Sequence, residues 1–118
     1  MENHSKGMLA QKSYDFAIKI ILLSKKLNAE KEYVLSKQIL RSGTSVGAMV
    51  REAKFAQSNA DYIHKFSIAL KEANETDYWL NLLHETQYIS AETFKETAGL
   101  CNEIISMLIS TVNTLKNK

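Results

Sequence analysis

The chain has 118 residues, no proline, four glycines, one cysteine and a formal net charge of +2. That length suits one domain with a hydrophobic core of its own, and the missing proline and scarce glycine exclude turn-rich sheet architectures. The near-balanced charge neither requires nor excludes a polyanionic partner, because patches rather than totals bind; the lone Cys101 excludes an internal disulfide.

Residues 1–8 are polar and aperiodic and read as a frayed terminus, leaving residues 9–118 as the folded domain. In the first helix, Phe16, Ile20, Leu23 and Leu27 recur at spacings of four and three, which is one face of a helix. Ala17, Ile18, Ile21 and Leu22 widen this stripe beyond what a bundle interior needs, so part of it is expected to face a second subunit. The apolar cluster at 18–23 contains Lys19 and is followed by Lys25 and Lys26, well short of the ~20 apolar residues that span a bilayer. No membrane insertion is expected. With no secretory leader pattern, the expected location is cytoplasmic.

The second helix is predicted over 31–56, with Leu35, Ile39, Ser42, Val46, Met49 and Ala53 in its stripe. Its middle carries Ser42, Gly43, Thr44, Ser45, Gly47 and Ala48. Each interior glycine costs roughly 1 kcal/mol relative to alanine, so two of them four residues apart imply that another helix approaches closely. Ser58 followed by Asp61 reads as a capping box opening the third helix. That helix carries Tyr62, Phe66, Ala69, Ala73, Thr76, Leu80 and Leu83 inward, and Lys65, Ile68, Glu72, Glu75, Trp79 and Leu82 on a second, mixed face. Ser90 is the expected N-cap of the fourth helix, through Phe94, Ala98, Cys101, Ile105, Leu108, Val112 and Leu115. Four long amphipathic helices with short connections predict an all-α, antiparallel up-down-up-down four-helix bundle.

Catalytic chemistry is not legible in this pattern. A two-metal carboxylate bundle needs a Glu-x-x-His on each of two helices, and the nearest match is Asp61-x-x-His64 at a helix start. No metal, no cofactor and no enzymatic activity are expected. Cys101 falls in an apolar stripe, where a thiol acts as a small hydrophobe. The second helix is the most basic, with Lys37, Arg41, Arg51 and Lys54 against Glu52. With Lys65 these residues form a candidate phosphate-binding surface. The competing reading is that Arg41 and Lys65 pair with Glu52, Glu72 or Glu75 across the contact between the second and third helices.

The run Leu40-Arg41-x-x-x-Ser45 leading to Glu52, then Ser58, Tyr62, Lys65, the segment IALKEANE at 68–75 and Thr76-x-x-Trp79-Leu80, resembles the bacterial 23S ribosomal RNA intervening-sequence proteins. The resemblance covers nearly the whole chain, and it extends to the accessory variability proteins of diversity-generating retroelements. It implies a four-helix bundle that assembles into a barrel-like homopentamer with a basic surface, engaging RNA or DNA and, in some relatives, a reverse transcriptase. Carried over residue by residue, the family's Arg, Ser and Glu fall on Arg41, Ser45 and Glu52, and its helix-three acids on Glu72 and Glu75. Many members follow the serine with Pro and Asn, where this chain has Gly47 and Met49. The expectation is a cytoplasmic, non-enzymatic homo-oligomer that binds nucleic acid through Lys37, Arg41, Arg51, Lys54 and Lys65. The alternative is a scaffold for a protein partner with no nucleic-acid role.

Overall fold

Four helices make up the chain: α1 (His4–Ala29), α2 (Tyr33–Ala53), α3 (Asn59–Glu85) and α4 (Ala91–Lys116), in a computed structural model that describes residues 4–117, with side chains from residue 7. Residues 1–3, part of the expected loose terminus, lie outside the described residues. The 27 residues of α3 span about 40 Å at 1.5 Å per residue, most of the 46 Å long axis.

Consecutive helices run antiparallel, because along each contact one residue number rises as the other falls. Ser24 meets Ser36 and Ser13 lies against Gly47 between α1 and α2. Ser42 meets Thr76 and Glu52 meets Lys65 between α2 and α3. Cys101 meets Ala73 and Phe94 stacks on His84 between α3 and α4. Lys12 with Glu103 and Lys19 with Glu96 close α4 back on α1. The bundle is thus an up-down-up-down square in which close backbone approach is between neighbouring helices among the described residues.

Caps explain where the helices stop. Ser58 and Ser90 are N-caps, their hydroxyls accepting from the Asp61 and Thr93 N–H groups. The Asp61 carboxylate reaches back to the Gln57 N–H instead of that of Ser58. The α1–α2 and α3–α4 turns each use a non-glycine residue in the left-handed region, Lys31 at φ 66° and Gln87 at φ 67°. Each sits in a Schellman arrangement: Glu32 N–H bonds to Leu27 O at 2.8 Å, and Tyr88 N–H to Leu83 O at 2.9 Å.

The core follows the predicted stripes with local shifts. Phe16, Ile20, Leu27, Ile39, Val46, Leu80, Leu83, Ile104 and Leu108 are sealed from solvent. In α2, Ser36 and Val50 are buried where Leu35 and Met49 were expected, and in α4 Ile104 takes the place expected for Ile105. Ser36 goes inward because its hydroxyl pairs with that of Ser24 at 2.7 Å, in a spot too close between backbones for leucine. The two α2 glycines serve the same contact. A Cβ on Gly43 would lie 2.7 Å from Ile20 Cγ1 and Cγ2, and one on Gly47 would lie 3.1 Å from the Ser13 carbonyl oxygen. The α1–α2 pair therefore packs closely at these positions, and α2 remains one unbroken helix through Gly47.

Candidate nucleic-acid interface

The basic residues of α2 and α3 divide into two groups, because α2 presents different sides to α3 and to α1. Toward α3, Arg41 reaches two carboxylates. Its Nη1 donates to Glu72 Oε1 at 3.2 Å and its Nη2 donates to Glu75 Oε2. Glu75 also accepts from the Trp79 indole at 3.0 Å. The Arg41 hydrogen bond, then that of Trp79, holds the Glu75 carboxyl below the usual glutamate range, and the same contact raises the Arg41 guanidinium. Eleven residues beyond Arg41, about three turns along α2, Glu52 accepts from Lys65 at 3.2 Å. The Ser45 hydroxyl bonds back to the Arg41 carbonyl at 2.6 Å, inside α2 itself. The α2–α3 contact therefore carries two separate ion-pair clusters, Arg41 with Glu72 and Glu75 and Lys65 with Glu52, so each of these cations has a carboxylate.

Toward α1 and solvent the pattern is different. Arg51 and Lys54 have no carboxylate partner among the described residues, and the Arg51 guanidinium lies 6.0 Å from the centre of the Tyr14 ring. That distance is at the outer limit of a cation–π contact. Both cations border a half-open groove of about 320 Å³ between α1 and α2, lined also by Tyr14, Thr44, Gly47 and Ala48. The groove exists because small residues at 44, 47 and 48 leave the outer side of α2 low against the tyrosine. Lys37 is exposed and unpaired among the described residues as well. It sits fourteen residues before Arg51, about 21 Å up the helix, so it belongs to the same side but not the same spot.

Above the groove the outer face of α1 is apolar. Ile18, Ile21 and Leu22 are exposed, Leu22 to 60 %, as are Leu40, Val34 and Tyr33 of α2. Phe55, directly after Lys54, is 81 % exposed. The stripe that Ile18, Ile21 and Leu22 widen beyond the inward face was the signal for this exposed surface in the sequence.

Other chemistry-bearing residues stand apart. Among the described residues no three His, Cys, Asp or Glu side chains come close enough to hold a metal ion. His64 is exposed near the start of α3, and His84 stacks on Phe94 with ring centres 4.2 Å apart. Cys101 is buried, its Sγ donating to the Ala73 carbonyl at 3.3 Å, and burial, then the Asp77 charge, pushes its thiol up to about 12. No described helix is long and apolar enough to cross a membrane.

The model of the family described as 23S rRNA-intervening sequence protein matches residues 6–110. Among solved structures, the chain is similar to a protein of unknown function from the S23 ribosomal protein family of Bacteroides thetaiotaomicron. The two share 52% sequence identity with a TM-score of 0.89, over 92% of this chain and 98% of that one. No curated protein matches the chain significantly.

Proposed function

From the premise that the chain belongs to the 23S rRNA-intervening sequence protein family, we propose that it is a cytoplasmic, non-enzymatic protein that self-assembles and binds RNA or DNA through a basic surface. The observation that carries this reading is the pair Arg51 and Lys54, two cations without carboxylate partners among the described residues, beside a solvent-open groove. Lys37 adds a third charge on the same helix. Arg41 and Lys65 take a supporting part, since their charges are largely offset by Glu72, Glu75 and Glu52. Binding of this kind is led by phosphate contacts, so it is salt-sensitive and nearly blind to sequence.

Self-assembly is supported by the exposed α1 face of Ile18, Ile21 and Leu22. A helix that is apolar on its outward side as well as its inward side is stable only when something covers it. A head-to-tail ring of identical chains, a homopentamer on the family resemblance, covers that face and repeats the modest basic patch once per subunit, which multiplies weak binding.

Fluorescence anisotropy with labelled RNA and DNA tests the reading. Replacing Arg51 and Lys54 together by Glu should weaken binding and flatten the dependence of log affinity on log salt by about two units, one per lost phosphate contact. Unchanged affinity with the assembly intact rules the surface out. The same exposed apolar patch supports a second reading, a scaffold that docks a protein partner such as a reverse transcriptase. Affinity capture that returns one protein and no nucleic acid would favour that reading.

A further inference from the structure

Four features of the α1–α2 groove point past phosphate binding alone. Its volume, about 320 Å³, accommodates one planar ring system together with part of its sugar. Tyr14 forms one wall and is itself more than half exposed. The floor is Thr44, Gly47 and Ala48, which expose no bulk and no charge, and the Thr44 hydroxyl is turned back onto the Leu40 carbonyl at 2.7 Å. Arg51 and Lys54 stand on the rim, where the charge of a backbone threading past the groove would lie. A duplex buries its base faces in its own stack and offers this groove only phosphates. A single strand can turn a base out, and base-on-aromatic stacking beside cations is the usual means of holding one.

We infer that the groove between α1 and α2 is a nucleobase-binding site that takes one unpaired base of a single-stranded nucleic acid against Tyr14, with Arg51 and Lys54 on the flanking phosphates. The inference rests on the nucleic-acid reading above and narrows it to single strands. Charge complementarity argues for this occupant: Arg51 and Lys54 make no ion pair among the described residues, which suits a phosphate backbone.

The test uses the full chain and a short fluorescein-labelled RNA strand, alone and annealed to its complement, in low salt. Light scattering and circular dichroism accompany each variant. The single strand should bind at least about tenfold tighter than the duplex, a difference of the size one stacked base supplies. Tyr14→Leu and Ala48→Met, which remove the ring and fill the groove, should each lower single-strand affinity by about tenfold and leave duplex affinity unchanged. Tyr14→Phe should bind as the wild type does. Equal binding of both forms, with Tyr14→Leu and Ala48→Met neutral while the Arg51, Lys54 double glutamate variant is weakened, overturns the base site and keeps the nucleic-acid reading. Absence of binding to either form overturns both. A changed subunit number in Ala48→Met assigns the groove to a second copy and also overturns the inference.

Discussion

Replacing Gly43 by alanine probes the contact on which the groove depends. A methyl group there arrives 2.7 Å from both Cγ1 and Cγ2 of Ile20, about 1 Å inside the optimum carbon–carbon separation. Ile20 is fully buried, and a β-branched side chain in a helix has essentially one χ1 rotamer, so neither group can swing aside. The strain of such overpacking is about 1–3 kcal/mol. Opposing it is the backbone gain of about 1 kcal/mol from removing an interior glycine, which leaves a net loss of about 1 kcal/mol. Gly99 on α4 is the internal control, since nothing lies within 4 Å of an added Cβ there, and Gly99→Ala should gain about 0.5–1 kcal/mol. Urea unfolding followed by circular dichroism at one fixed protein concentration measures both. Ile20→Ala should cost about 3 kcal/mol alone and at least about 1 kcal/mol less in the Gly43→Ala background, because the new methyl group then occupies freed space. If Gly43→Ala stabilises as much as Gly99→Ala and shows no coupling to Ile20, the close α1–α2 approach is refuted.

Three further outcomes are expected. Because Arg41 and Trp79 lower the Glu75 pKa in the folded state, the stabilisation is present above the ordinary glutamate range and is lost as pH falls through and below it. Glu75→Gln should cost up to about 1 kcal/mol at neutral pH for a half-exposed pair and should flatten the acid limb of stability below about pH 4; an unchanged acid limb would exclude the contact. Cys101, pushed up to about 12 and buried, should resist a thiol-reactive disulfide reagent at pH 8 until the chain unfolds, whereas prompt reaction would place the thiol at the surface. Gln87→Gly and Lys31→Gly, at the two left-handed turn positions, should each stabilise by about 1 kcal/mol, and destabilisation would contradict the Schellman geometry.

Spacing carried most of the fold because helical periodicity records which side of a helix is dry. Phe16, Ile20, Ile39, Val46, Leu80 and Leu108 are all fully buried at positions the stripes assign to the interior. The shifts at Ser36, Val50 and Ile104 have two origins. Where helices approach closely, the inward residue is chosen for size as much as for polarity, so Ser36 outranks Leu35, and one-residue rotations put Val50 and Ile104 inward. The turns were hidden for a related reason. Left-handed helix ends are usually marked by glycine, and here Lys31 and Gln87 occupy them, so only the loss of periodicity signalled a stop. The pairing of Arg41 and Lys65 with Glu52, Glu72 and Glu75 was open in the sequence as the competing reading, and the rotation of α2 against α3 brings these groups together. The same rotation leaves Arg51 and Lys54 beside Tyr14, a residue some forty positions earlier.

Size exclusion coupled to light scattering, run with and without RNA and DNA at low and physiological salt, tests self-assembly and nucleic-acid binding together. A particle near five times the 13.4 kDa chain mass that grows with nucleic acid, and stops growing when Arg51 and Lys54 are replaced by Glu, is the expected result. A 13.4 kDa monomer that ignores nucleic acid at both salts would contradict it.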